Sequence, residues 1–269
     1  MDTGSGHTPE RATLQIVDVP EPNPAPTPAE TLWRLGPKAT LCHEEAARHL
    51  GIELVEDTGI RRVTVPRNRS RVRVSGWTVV RADLRAEEIV TLDGLPMTSA
   101  ARTVRDLARV LPIPRAVAAA DSALRLHLVQ FNAVVVPLTD ASGRGAARLR
   151  QVGALVDPLS GSVLESLLRV LLVTAGLPSP RTQYAIHNEF GRVIARVDFC
   201  WPSQHLIVEA DGFAFHSDRA AYRRDRMRMN ELERHGWRVL RVTWEDVLSR
   251  PTYVVALVRD CLRGLAVAA

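Results

Sequence analysis

Hydrophobic and polar positions alternate most regularly between residues 192 and 211. Val193, Ala195, Val197 and Phe199 share one side of an extended segment, and Asp198 takes the other. Trp201-Pro202-Ser203 turns the chain. From His205 to Asp211 the alternation resumes, with Leu206, Val208 and Ala210 set against Ile207, Glu209 and Asp211. A helical period flanks these strands. Leu164, Leu167, Leu168, Leu171 and Leu172 make one stripe between Ser162 and Gly176. Tyr222, Met229 and Leu232 make another between Ser217 and His235, ended by Gly236. Gln183 to Ile186 starts an edge strand, Trp237 to Trp244 reads as a further strand, and Asp246 to Gly264 as a closing amphipathic helix.

The N-terminal half is patterned differently. Residues 1–30 are rich in Pro, Thr and Glu and lack the apolar positions that would offset ordering, so disorder is expected. Thr31 to Ala47 predicts helix in two pieces, the second running from Cys42 to Leu50 before Gly51. Ile60 to Val65 and Arg71 to Val80 predict two strands joined by a basic hairpin tip, Pro66 to Ser70. Leu95 to Leu107, capped at Thr98 or Ser99, and Ile113 to Leu126, opened by Pro114, predict amphipathic helices. Phe131 to Pro137 continues as a short segment, and Gly143 to Leu155 as a basic helix. Three regions follow: a tail at 1–30, a winged-helix-like and helical region at 31–156, and an α/β region at 157–269. A chain of 269 residues exceeds the usual single-domain size, which agrees with two folded regions.

Candidate chemistry sits at the ends of the two acidic strands. Asp198, Glu209 and Asp211 gather hard oxygen donors of the kind Mg²⁺ or Mn²⁺ takes. Like charges that close require a cation among them. Either a metal or the neighbouring arginines can supply it. Glu165 also has two readings: partner of Ser162 in a capping box, or a further carboxylate brought to the strands from a helix. His216 lies five residues beyond Asp211, either as a structural histidine or as a general base or phosphate contact. Arg223, Arg224, Arg226 and Arg228 surround Asp225 and either pair with the acids or grip a nucleic-acid backbone.

Charge extends the picture. The net charge of +5 and pI near 9.7 come chiefly from arginine, whose forked guanidinium fits phosphate, so a polyanion is the favoured partner. Arg67, Arg69 and Arg71 in the expected hairpin form either a phosphate-binding wing or a solvated basic edge. The three cysteines, Cys42, Cys200 and Cys261, have no metal-ligand spacing. No apolar run reaches membrane-spanning length, and a cytoplasmic location is expected.

Several ordered motifs carry a resemblance. SxxE at Ser162 to Glu165, RVDF at Arg196 to Phe199, VEADGFAFH at Val208 to His216, RRD at Arg223 to Asp225 and LERHGWRVLRVTWEDV from Leu232 resemble a family related to the very-short-patch repair endonucleases. That family is a branch of the restriction-endonuclease-like PD-(D/E)xK superfamily. The resemblance implies a central mixed sheet flanked by helices and a Mg²⁺- or Mn²⁺-assisted nuclease site. Asp198 would bind metal, Glu209 would assist, Glu165 would contribute from its helix, and His216 would stand in the place of a catalytic histidine. Asp211 falls where the superfamily usually has a lysine, and this chain departs from the pattern there. Residues 31 to about 150 are similar to AbiEi-type antitoxins, with the stretch GLPMTSAARTVRDLA as the motif. Three functions are consistent with these features. They are a metal-dependent DNA endonuclease, a DNA-binding regulator whose partners are a cognate toxin or its operator, and an RNA- or protein-binding module.

Overall fold

The computed structural model describes residues 25–212 and 219–264. It has the mixed α/β architecture expected, with two mixed sheets and flanking helices. Among the described residues no helix is long and apolar enough to cross a membrane.

The first sheet has the order β3-β2-β1-β5-β4, from Thr78–Arg81, Arg62–Val65, Thr40–Cys42, Leu95–Thr98 and Ile89–Leu92. Two of these strands correct the sequence reading. β2 and β3 pair in parallel, Val63 opposite Val79, so residues 66–77 are a crossover and not a hairpin tip. β1 is too short for an alternation to reveal. It lies between α1 (Pro28–Leu35) and α2 (His43–Leu50), where only helix was expected. α1 begins with a Thr27–Glu30 capping box, so residues 28–30 are helix and not tail. Leu35, Leu41, Val63, Val65 and Met97 are fully buried between α1 and this sheet. Each contributes roughly 1.5–3 kcal/mol by burial.

Helices α3 (Ala100–Val110), α4 (Ile113–Arg125), α5 (Phe131–Thr139) and α6 (Ala146–Leu155) follow. Ser99 precedes α3 without a side-chain capping bond, and the Thr98 hydroxyl pairs with Thr103 instead. α7 (Val163–Thr174) packs on α4, and each of the two cores borrows a residue across that contact, Val170 in one and Ala118 in the other. Inside it Arg169 meets Asp121 at 2.9 Å, and the Asp157 N–H donates to the other Asp121 oxygen at 2.8 Å.

The second sheet has the order β6-β7-β8-β9, from Arg181–His187, Val193–Trp201, Leu206–Asp211 and Arg238–Thr243, antiparallel except for the β8–β9 pair. α7, α9 (Trp244–Ser249) and α10 (Pro251–Leu262) cover one face, and α8 (Arg219–Arg234) the other. The single closing helix expected is two helices, because Pro251 opens the second at its first turn. The alternation along β7 also differs from the reading above. Ala195 and Val197 pack with Ile207 and Leu232 on the α8 side, whereas Phe199 and Trp201 pack with Val208 and Leu168 on the other. The strand changes phase at Asp198. Opposite it on β6, Gln183 has a left-handed backbone (φ 50°), so the pleat is broken where the acidic residue stands.

Candidate active site

The phase change turns Asp198 toward two layers at once. Its Oδ2 accepts the Ala210 N–H at 2.9 Å, and its Oδ1 accepts Gln183 Nε2 at 3.0 Å. The same Nε2 donates to Glu165 Oε2 at 2.9 Å. Glu165 comes from the first turn of α7, where the Ser162 hydroxyl accepts the Glu165 N–H at 3.1 Å. Its carboxylate bypasses the cap amide of Ser162 and takes the Gly161 N–H at 2.7 Å. The cap is therefore half of a capping box, and the carboxylate is free to face the strands. Gly161 leaves room for it. A Cβ there would lie 2.9 Å from Glu165 Oε1 and 3.3 Å from Gln183 Nε2.

Glu209 completes the group. Continuing the Phe199–Val208 register by one residue sets it across from Asp198. Arg228 of α8 grips it with both forks, Nη1 to Oε1 at 2.7 Å and Nη2 to Oε2 at 3.0 Å. Asp225 ties Arg228 (3.0 Å) to Arg241 of β9 (2.6 Å). Burial alone would raise the Asp225 carboxyl, but the bonds from Arg241 and Arg228 win and hold it below its usual range.

Asp198 behaves differently. Burial, then the Glu165 carboxylate, push its pKa up to about 6, and Glu209 adds to this against the Ala210 N–H. The arginines satisfy Glu209 and Asp225; Asp198 is left beside Glu165 with two neutral donors, the Ala210 N–H and the Gln183 amide. Asp198 and Glu209 open onto a groove of about 1070 Å³, which Glu165 and Gln183 do not line. Arg196, Arg224, Arg226 and Arg241 share its walls with Asp198, Glu209 and Asp211.

Of the residues singled out in the sequence, the fold brings Glu165, Asp198 and Glu209 together. Asp211 stands exposed at the end of β8 on the groove rim. Arg224 and Arg226 line the groove, and Arg223 is exposed on the same helix. His216 lies outside the described residues. Arg67, Arg69 and Arg71 belong to the crossover of the other sheet; Arg67 and Arg71 are exposed, while Arg69 donates to the Leu35 carbonyl. Gln183, Gly161 and Arg241 escaped sequence reasoning. A glutamine in an edge strand gives no periodic signal, and the charge on Arg241 is one among many.

The carboxylates suit a hard divalent ion in kind. In number they fall short of a ready cage. Among the described residues no three His, Cys, Asp or Glu side chains converge as a ligand set. The acid pair Glu165–Asp198, with Asp198 pushed up to about 6, is where a cation relieves most repulsion.

Comparison with known proteins agrees with this geometry. The family model REase_MTES_1575, of a restriction-endonuclease-like family, matches residues 180–262, which span β6 to α10 and hold Gln183, Asp198, Glu209 and Arg228. An uncharacterized protein of Mycobacterium tuberculosis (strain CDC 1551 / Oshkosh) is 30% identical over 223 residues, covering 82% of this chain and 80% of its own length. An uncharacterized protein of strain ATCC 25618 / H37Rv matches over the same 223 residues at 30% identity, with the same 82% and 80% shares. No solved structure is a significant match. The chain belongs to one family with these mycobacterial proteins, and its residues 180–262 form a restriction-endonuclease-like region.

Proposed function

We propose that the protein is a Mg²⁺- or Mn²⁺-dependent endonuclease that hydrolyses DNA phosphodiester bonds. The observation that carries this reading is the Asp198 carboxyl, pushed up to about 6 beside Glu165 and Glu209 in an arginine-walled groove. Clustered acids with a perturbed pKa in a cleft mark a working site. Asp198 and Glu209 are the residues that would hold the ion, with Glu165 adding charge from α7. When bound, the ion supplies Lewis-acid polarisation of a phosphate and a more acidic water. Arg224 and Arg226 in the groove wall, with Arg223 beside them, bind and orient phosphate oxygens. Arg228 holds the Glu209 carboxylate by both oxygens, so it fixes that side chain until phosphate competes for the guanidinium. His216, five residues past Asp211, is the proposed general base or phosphate contact; the resemblance implies a catalytic histidine at that position. Further expectations are kinship of the C-terminal region with the very-short-patch repair enzymes, an AbiEi-type N-terminal part, and work in the cytoplasm.

A second reading has its own observation. Asp211 replaces the usual lysine, and Arg228 occupies both oxygens of Glu209. A DNA-binding regulator on a nuclease fold without turnover, with a toxin or its operator as partner, fits that arrangement, and the exposed Arg67 and Arg71 would serve it. Supercoiled plasmid separates the two. The endonuclease nicks it with Mg²⁺ or Mn²⁺ and stops on chelation. Intact plasmid across metals, together with salt-sensitive binding of its own promoter, would establish the regulator instead.

A further inference from the structure

We propose that Gln183 is a ligand of the divalent-ion site, presenting Oε1 beside Asp198 and Glu165 when the ion binds. The inference rests on the metal-dependent reading above. Its first support is position. Gln183 Nε2 stands 2.9 Å from Glu165 Oε2 and 3.0 Å from Asp198 Oδ1, so one amide nitrogen spans both carboxylates. An ion held at Asp198, with the Glu165 charge beside it, would meet this amide.

The second support is the backbone. Gln183 has φ 50°, a left-handed conformation that strains any residue carrying a side chain. His43, Asp93, His127 and His205 also have positive φ, but among the described residues Gln183 alone has it within a strand. The same break sends its neighbours to opposite faces of the sheet: Thr182 pairs with Phe199 and its hydroxyl reaches Asp157, while Tyr184 joins the core on the α8 side. Besides shifting the strand's phase, this conformation sets the amide between the acids. Gly161 beneath keeps that space open, since a Cβ would approach Nε2 to 3.3 Å.

The third support is the donor inventory. Two carboxylates require a donor, so Nε2 faces them and Oε1 accepts Arg196 Nε at 3.1 Å. A dication between the carboxylates reverses that requirement. Rotating the last side-chain bond by half a turn exchanges Nε2 for Oε1, a hard carbonyl oxygen of the kind such ions take. Arg196 is exposed and lines the groove, so it gives up Oε1 to solvent or to a phosphate at little cost.

Mn²⁺ titration of the full chain without nucleic acid, followed by electron paramagnetic resonance, tests the assignment. Wild type, Asp198→Ala, Gln183→Met and Gln183→Glu are compared, with thermal unfolding of each as the fold control. The expected result is roughly tenfold weaker binding in Gln183→Met and binding at least as tight as wild type in Gln183→Glu. If Gln183 merely screens the acids, removing its amide frees them, and Gln183→Met binds Mn²⁺ as tightly as wild type or more so. That outcome overturns the proposal. Should the methionine variant fail to fold, weaker binding in Gln183→Glu overturns it equally. Absence of Asp198-dependent Mn²⁺ binding in the wild type is a different failure, because it removes the metal-dependent reading itself.

Discussion

Replacing Asp198 by asparagine is expected to abolish metal-dependent cleavage and, at the same time, to stabilise the protein above pH 6.5. The activity loss should be at least about 10³-fold, since the residue is asked to hold the ion that supplies most of the electrostatic stabilisation. The stability gain follows from linkage. In the unfolded chain Asp198 titrates near 3.8, and in the folded one near 6. The folded state therefore binds the proton more tightly, and ionised Asp198 costs stability at all pH values above 6. The penalty shrinks as pH falls through 6 and is gone below the unfolded value. Asparagine carries no charge, so its advantage should be greatest at pH 7.5 and vanish toward pH 4. Allowing for solvent at the groove, the gain is on the order of 1–2 kcal/mol, or roughly 3–6 °C in midpoint for a chain of this size. Thermal melts of both proteins across that range check it. A variant less stable than wild type at pH 7.5 would mean that the neighbours fully compensate the carboxylate and its role is structural.

The second large effect lies outside the site. Arg169→Met should cost about 3–5 kcal/mol, because it leaves the fully buried Asp121 with the Asp157 N–H and the Ser166 side chain but no cation. That is a large part of ordinary domain stability. The charge, not the shape, is at stake, so Asp121→Leu combined with Arg169→Met should recover most of the loss. Urea unfolding of the single and double variants measures both. A loss below about 1 kcal/mol in the single variant would show that water or a relaxed neighbour reaches Asp121. This pair sits where α4 meets α7, so the helix that carries Glu165 depends on it.

The sequence made the second sheet, α7 and its acidic ends legible because their periods are long and regular. Glu165 is ambiguous in the sequence, since its spacing from Ser162 is what a helix cap requires; in the fold its carboxylate turns to Gly161 and Gln183. Phe199 faces away from Ala195 and Val197, against the expected alternation, for a physical reason. A left-handed residue on the neighbouring strand breaks the alternation, and nothing in β7 itself announces it. In the N-terminal sheet the losses have other causes. β1 has three residues and no period, and the arginines of residues 61–73 favoured a hairpin where the chain crosses over. The true hairpin, β4–β5, turns at Asp93-Gly94 with both residues at positive φ, a two-residue signal present in the sequence. Arg61 and Arg62 serve the fold, one stacked on Trp77 and beside Glu45, the other paired with Glu44. Counting basic residues therefore overstated the surface available to a polyanion.

The central claim is that side chains from α7, β7 and β8 share one divalent ion. Calorimetric titration of Mn²⁺ into wild type and Asp198→Asn, at pH 7.5 and again at pH 5, tests it most directly. The account predicts one ion per chain in wild type at pH 7.5, weaker binding at pH 5 as the proton of Asp198 competes, and none in the variant. Equal binding by the two proteins, or wild-type binding indifferent to pH, would contradict it.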